Sequence, residues 1–186
     1  MAMDPTADVR FTRIYEMHYA DVLAYCARRV DRTEAEDVAN EVFTVLWRRI
    51  DTINDETLGP WLYGVAYRMI TNRWRGSSRR RNLRTRLSGL RPDAPDAVDT
   101  IVVRRDEDSQ VLAAIAKLKP DDQEVLRLSA WEALTAPQIA EVVGCSVSAA
   151  EQRLHRAKKR LANVLTPIPS PSIAAVPLSA EEGGRP

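Results

Sequence analysis

Residues 134–161 read LTAPQIAEVVGCSVSAAEQRLHRAKKRL, a string whose punctuation admits little besides two helices joined by a tight turn. Pro137 suits the first turn of a helix, where its missing N–H has no partner to lose. Ile139, Val142 and Val143 then form the core face of that helix. Gly144 allows the backbone conformation that ends it, and Ser146 or Ser148 can cap the next by accepting a hydrogen bond from a free N–H. The turn is therefore about three residues. In the second helix Val147, Ala150, Leu154, Ala157 and Leu161 recur at three- and four-residue steps, while Gln152, Arg153, Arg156 and Arg160 fall on the other side. A helix-turn-helix of this shape lays its second helix in the DNA major groove, where Arg and Gln can pair with base edges and Lys can contact phosphate. An amphipathic helical hairpin with a solvated basic face fits the same string.

A chain of 186 residues can form one large helical domain or two small ones, and the punctuation favours two. Its net charge of +1 conceals strong segregation. Residues 73–86 hold seven arginines and no acid, residues 31–56 are rich in Asp and Glu, and residues 93–108 are acidic again apart from Arg104 and Arg105. Local charge sets the field a polyanion meets, so near-neutrality does not argue against DNA. The sequence has no apolar run long enough to span a bilayer and no signal-peptide pattern, and Asp4 and Asp8 keep its start polar. A cytoplasmic protein without membrane insertion is the expectation. Cys26 and Cys145 stand far apart without a Cys/His cluster and read as small buried residues; His18 and His155 are equally isolated. No metal site and no cofactor is expected.

Residues 11–30 carry a helical pattern, with Ile14, Val22 and Tyr25 among its apolar positions. Asp31 and Arg32 form a turn, and Thr33 with Glu36 makes a capping box for a helix running through Val38, Val42, Val45 and Leu46 to about Ile50. Its other face shows Asp37, Asn40, Glu41 and Arg48. Asp37 and Glu41 lie one turn apart without a Lys or Arg at helical spacing, which costs a few tenths of a kcal/mol; an external cationic partner or a merely solvated acidic face would each explain them. Residues 51–59 form a polar loop, and Pro60 opens the next helix. There Trp61, Leu62, Val65, Met69 and Ile70 interleave with Tyr63, Tyr67, Arg68, Asn72, Arg73, Trp74 and Arg75. Rings beside arginines suit unpaired bases, each stack contributing roughly 1–3 kcal/mol, although Trp61, Tyr63 and Tyr67 can equally be core. Residues 87–106 contain Gly, Pro and Asp with no sustained apolar period and read as linker. Helical signal resumes with Val111, Leu112, Ile115 and Leu118, breaks at Pro120, and continues over residues 121–131 into the helix-turn-helix. Residues 166–186 are proline-rich, a disordered tail by composition.

The order of these pieces resembles a bacterial RNA polymerase sigma factor, specifically the compact extracytoplasmic-function (ECF) group with only the second and fourth domains. AEDVANEVFTVLWRRI is similar to that family's polymerase-docking helix, WLYGVAYRMITNRWR to its promoter-melting helix, and residues 118–161 to nearly the whole of its fourth domain. The likeness covers residues 11–81 and 110–162. It implies an all-α architecture of two small domains: residues 1–86 as domain 2, a linker over 87–106, residues 107–165 as the helix-turn-helix domain 4, and the tail. It implies a factor that binds core polymerase and opens promoter DNA, with no catalysis of its own. Asp37, Asn40, Glu41 and Trp47 would dock on the clamp helices of the largest polymerase subunit, and domain 4 on the flap. Asn54 in loop 51–60, with Trp61, Tyr67, Arg68, Asn72, Arg73, Trp74 and Arg75, would recognise and melt the minus-ten element. The loop would capture an extruded base, whose unstacking costs a few kcal/mol. Ser148, Glu151, Gln152, Arg153, His155, Arg156 and Lys159 would face the minus-thirty-five duplex. Promoter DNA, duplex and single-stranded, and an anti-sigma factor are the further partners implied.

Several positions depart from the family's usual residues. Glu151 stands where many relatives are basic and Gln152 replaces a smaller residue; Glu can accept from cytosine N4 and Gln can pair with adenine, so an altered minus-thirty-five preference follows. Tyr67 and Arg68 stand where the family often has Arg and Asn, and Gly64 lies mid-helix. The 20 residues of the linker can extend to roughly 66 Å, and elements between one and two DNA turns apart are roughly 34–70 Å apart, so both domains could engage one promoter. In relatives the linker enters the polymerase interior; a solvated tether explains its acidic composition equally. The rival reading is a self-sufficient helix-turn-helix regulator, which would need tight duplex binding without polymerase, usually as a symmetric dimer, and the sequence has no dimer helix. A metal-dependent nucleic-acid enzyme using Asp37 and Glu41 is poorly supported by two carboxylates alone.

Overall fold

The computed structural model describes residues 5–88 and 106–165, with side chains described for 6–79 and 111–165. Every regular element among them is helical. Helix α1 spans Pro5–Ala27, α2 Arg32–Arg48, a 3-10 turn Asp55–Thr57, and α3 Leu58–Ser88; α4 spans Asp106–Ala116, α5 Pro120–Ala130, α6 Ala136–Val143 and α7 Val147–Leu165. The expected linker and the proline-rich tail lie outside the described residues, but for the two linker positions at the end of α3 and the one that starts α4.

The first three helices pack on one another through stripes at helical spacing. Helix α2 buries Ala35, Val38, Ala39, Val42, Phe43 and Leu46, against Ile14, Val22, Tyr25 and Cys26 of α1 and Leu58, Leu62, Val65, Ala66 and Ile70 of α3. Asp31, rather than Thr33, caps α2: its Oδ1 accepts from the Glu34 N–H at 2.9 Å. A carboxylate at this place satisfies a free N–H and also meets the positive end of the helix dipole. The expected Thr33–Glu36 box gives way to it, and Glu36 pairs instead with Arg32 one turn back at 3.3 Å. Helix α3 begins at Leu58, so Gly59 and Pro60 sit in its first turn, and it continues through the arginine-rich stretch to Ser88.

In the C-terminal half Pro120 opens α5. Thr135 precedes α6, its N–H donating to Gln138 Oε1 at 2.9 Å. Gly144 ends α6 in the left-handed region at φ 72°, a conformation that costs a residue with a Cβ more than it costs glycine. Ser146 then caps α7, its Oγ accepting from the Ala149 N–H at 3.2 Å. The three-residue turn is thus as expected. On α7 Ala150 and Ala157 are buried and Leu154 and Leu161 partly so, but Val147, expected on the packing face, is 42% exposed. Cys26 is buried and Cys145 partly buried, both as free thiols; burial pushes the Cys26 thiol up to about 12.

Candidate nucleic-acid and polymerase interfaces

Helix α7 presents an open row. Ser148, Glu151, Gln152, His155, Arg156 and Lys159 are all exposed. Gln152 Nε2 leans on Ser148 Oγ at 3.5 Å and Arg156 Nε donates to the Gln152 carbonyl at 3.2 Å. These local bonds hold the polar groups side by side without burying them. Glu151 has no cation paired to it among the described residues. The other arginines of the helix are engaged. Arg153 is half-buried and turned to Asp121 at 4.0 Å, and Arg160, expected on the outward face, is ion-paired to the buried Asp122 of α5. Both ties fasten α7 to α5 and leave Arg156 as the arginine free to reach outward.

Helix α3 is divided along its length. Towards its end Thr71, Trp74, Arg75, Ser78 and Arg79 line a shallow groove, with Trp74 38% exposed. Arg68 and Asn72 are exposed as well. A ring flanked by guanidinium groups and hydroxyls is the chemistry that holds unpaired bases. Towards its start the aromatic residues are covered: Trp61, Tyr63 and Tyr67 are partly buried against the core, and burial, then Glu124 and Asp121, raises the Tyr67 phenol above its usual value. The cover is α6. A methyl group on Gly64 would stand 3.6 Å from the Val142 Cα and 3.4 Å from Arg68 Nη1, so the mid-helix glycine lets the two backbones approach. Both are ordinary van der Waals distances, so alanine would fit here.

The loop before α3 is held from α1. Arg10 donates to the carbonyl of Ile50, to that of Ile53 at 2.6 Å and to Asp55 Oδ1 at 2.5 Å, while Arg13 reaches Asp55 Oδ2 at 3.2 Å. Asn54 is exposed, and its Oδ1 accepts from the Glu56 N–H at 3.1 Å. The hydrogen bond from Arg10 lowers the Asp55 carboxyl below its ordinary value.

The four expected docking residues separate into two groups. Asn40 and Trp47 line a groove between α1 and α2 with Asp8, Phe11, Tyr15, Phe43 and Thr44. Its floor is an aromatic ladder: Tyr15 stacks on Tyr19 at 4.7 Å, Phe43 meets Tyr15 edge-on at 4.9 Å, and Trp47 meets Phe11 at 5.2 Å. The sequence reading missed this ladder, although Phe11, Tyr15 and Tyr19 at four-residue spacing announce it. Glu41 faces the other way. Its Oε1 accepts from Arg73 Nη2 at 2.8 Å, and Arg73 also reaches Glu34 at 3.5 Å. The cation expected from outside is therefore supplied from within the chain for Glu41, and Arg73 is correspondingly less free for DNA. Asp37 is exposed and has no such partner among the described residues.

A further cluster joins the two halves, and nothing in the sequence pattern marks it. Arg29, two residues past the end of α1, has a side chain only 1% exposed. Its Nε donates to Glu124 Oε2 at 3.0 Å, its Nη2 to Glu124 Oε1 at 3.1 Å and its Nη1 to the Tyr25 carbonyl at 2.8 Å. Tyr25 adds its own OH to Glu124 at 3.0 Å. Arg28 pairs with Glu132 at 2.6 Å and lies over the Trp131 ring at 5.6 Å. Burial works against the Arg29 charge, but Glu124 outweighs it and raises the guanidinium's affinity for its proton. Burial, and then Glu124, holds the Tyr25 phenol well above its usual range, so it keeps the proton it donates. Removing one member of a buried pair of this kind costs about 3–5 kcal/mol, because the other charge is left buried alone. Among the described residues no group of three His, Cys, Asp or Glu side chains could hold a metal ion, and no helix is long and apolar enough to cross a membrane.

A helix-turn-helix with a free outward face, packed against a three-helix unit that carries an aromatic–arginine groove, defines the class as a DNA-binding protein. The chain matches the family described as Sigma-70 region 2 over residues 14–80 and that described as Sigma-70, region 4 over residues 108–161. It is 26% identical over 156 residues to the RNA polymerase sigma factor YlaC of Bacillus subtilis, covering 82% of this chain and 90% of that one. It is 28% identical over 158 residues to the sigma factor CnrH of Cupriavidus metallidurans, covering 77% and 80%. Among solved structures it resembles CnrH in complex with the cytosolic domain of CnrY, with a TM-score of 0.57, 24% identity and coverage of 83% and 86%. It also resembles the sigma factor RpoE of Bartonella quintana in complex with the anti-sigma factor NepR, with a TM-score of 0.59, 18% identity and coverage of 83% and 96%. The chain belongs to the ECF sigma factors. As such it acts with RNA polymerase in promoter-specific transcription initiation, and is not a self-sufficient helix-turn-helix regulator.

Proposed function

We propose that the two surfaces read the two promoter elements as follows. The open row of α7 reads the minus-thirty-five duplex, with Arg156 and Gln152 hydrogen-bonding base edges, Lys159 neutralising phosphate and Glu151 setting a preference through cytosine N4. The groove around Trp74 and Arg75, with Arg68 and Asn72, holds the unpaired minus-ten strand, and the loop carrying Asn54, braced by Arg10, receives an extruded base. Asn40 and Trp47, in the aromatic groove of α1 and α2, dock on the clamp helices of the largest polymerase subunit, with Asp37 at the edge; domain 4 meets the flap. Domain 2 comprises residues 1–86 and domain 4 residues 107–165. The polymerase performs the chemistry in the cytoplasm, and this chain supplies docking energy, base readout and strand opening without a cofactor. An anti-sigma factor is a further partner, suggested by the company the resembling structures keep.

The observation that carries this reading is the presence in one chain of a free recognition-helix face and, apart from it, a tryptophan–arginine groove suited to single strands. It is tested by mixing the purified chain with core polymerase and a random promoter pool. Run-off transcripts that depend on the chain are expected. Footprints formed without polymerase, and no transcript with it, would overturn the reading.

A further inference from the structure

The first turn of α7 carries an apolar side chain that the packing leaves over. Val147 belongs by spacing to the stripe of Ala150, Leu154, Ala157 and Leu161, yet it is 42% exposed while Ala150, one turn on, is buried. Among the described residues of α7 the other exposed large apolar side chains, Val164 and Leu165, stand at the opposite end of the helix. Val147 therefore shares the open first turns with Ser148, Glu151, Gln152, His155 and Arg156, all of them polar. We propose that Val147 reads the C5-methyl group of a thymine in the minus-thirty-five duplex, and so determines specificity beside Glu151.

Position and chemistry both support this. The residues of a recognition helix that reach base edges are those at its N-terminal end, and Val147 is the first residue of α7. Its backbone is held in place by Ser146, whose Oγ accepts from the Ala149 N–H and whose carbonyl accepts from the Ala150 N–H. A β-branched side chain on a helix keeps largely to one rotamer, so little freedom is lost when it meets a ligand. In the major groove thymine is the base that presents a methyl group, and an apolar side chain is what recognises it. The polar row reads hydrogen-bonding edges and leaves that methyl unread. Residues four apart share an edge of a helix, so Val147 stands beside Glu151. Four residues rise about 6 Å and stacked base pairs about 3.4 Å each, which places the thymine within about two base pairs of the one that Glu151 reads.

This inference rests on the assignment of α7 to the minus-thirty-five element, and its test keeps the two apart. The wild-type chain, Val147→Ser and Arg156→Ala are each assembled with core polymerase. A promoter recovered from the random pool is made as a set of duplexes in which each thymine of the minus-thirty-five element is replaced in turn by uracil, which lacks the methyl and keeps the hydrogen-bonding edge. Competition binding read by fluorescence anisotropy should show the wild-type factor losing about fourfold in affinity at one such position, the weight of one buried methyl-sized group. The Val147→Ser factor should bind the thymine and uracil duplexes alike there. Val147 is exposed, so serine leaves the packing of α7 as it is, and circular dichroism checks this. A wild-type factor indifferent to uracil at every position, or a Val147→Ser factor that still discriminates as wild type does, overturns the methyl contact. Weaker assembly of Val147→Ser with core polymerase in the absence of DNA, with thymine discrimination intact, overturns it also. A loss of affinity with Arg156→Ala and none with Val147→Ser or uracil overturns the role of Val147 alone. No loss with either substitution overturns the assignment of α7 beneath it.

Discussion

Helices α7 and α3 both carry residues proposed to face DNA, yet they meet solvent differently. The outward row of α7 is exposed from Ser148 to Lys159, and only its flanking Arg153 and Arg160 are tied down. Helix α3 is open at Trp74 and Arg75 but covered at Tyr63 and Tyr67, and its Arg73 is committed to Glu41 and Glu34. A duplex reader can stand ready, because its target is always present with its edges in the groove. A strand-melting surface left equally open would offer basic and aromatic groups to any nucleic acid, and the protein covers part of it.

That contrast can be broken at several points. Trp74→Ala should weaken binding of a single-stranded minus-ten oligonucleotide in the polymerase complex by about 1–3 kcal/mol, read as fluorescence anisotropy, while duplex binding at minus thirty-five stays as it is. Equal losses at both elements would erase the division between the helices. Arg156→Ala should do the converse, costing about 1–3 kcal/mol at duplex bases if it makes paired contacts there. Glu151→Lys sharpens the same side: sequences selected from a random pool should shift at one position, and an unchanged consensus would remove Glu151 from readout. The smallest effect concerns the loop. Asp55 has a lowered folded pKa, so the help it gives is complete above the ordinary Asp value near 4. It fades as pH falls below that value through the lowered one. Arg10→Ala should weaken this acid dependence of loop order, leaving only the part Arg13 supplies, measured by hydrogen exchange of residues 50–57, and leave the wild-type value at neutral pH the higher of the two.

Much of this was legible locally. Gly144, Pro137 and Ser146 mark the helix-turn-helix because caps and turns are decided by neighbours in sequence, and the stripes of α2 and α3 follow from a period of 3.6. Local rules also compete, and that is where they misled: Thr33 and Glu36 make an acceptable box, but Asp31 is the better cap, and α3 starts three residues before Trp61. Contacts between distant elements were not legible. Glu41 looked unpartnered because Arg73 lies 32 positions away; Arg160 looked free because its partner, Asp122, is on another helix. The cluster of Arg28, Arg29, Glu124 and Glu132 was invisible for the same reason. Nothing local in the sequence singles out Arg28 or Arg29, or Glu124, which lies 95 positions beyond Arg29. For the site, the exposed row of α7 was foreseen except at Arg153 and Arg160, which turn to acids of α5, whereas the aromatic ladder under Asn40 and Trp47 needed two helices side by side to become a groove.

The central claim, that this chain opens promoter DNA for the polymerase through α3, is tested most directly by permanganate reactivity of thymines on a promoter recovered from the transcript pool. With core polymerase and the wild-type chain, thymines around minus ten should become reactive, and a Trp74→Ala/Arg75→Ala chain that still binds polymerase should leave them protected. Reactivity unchanged by those substitutions, or protection of the duplex by the chain alone with no strand opening when polymerase is added, would contradict it.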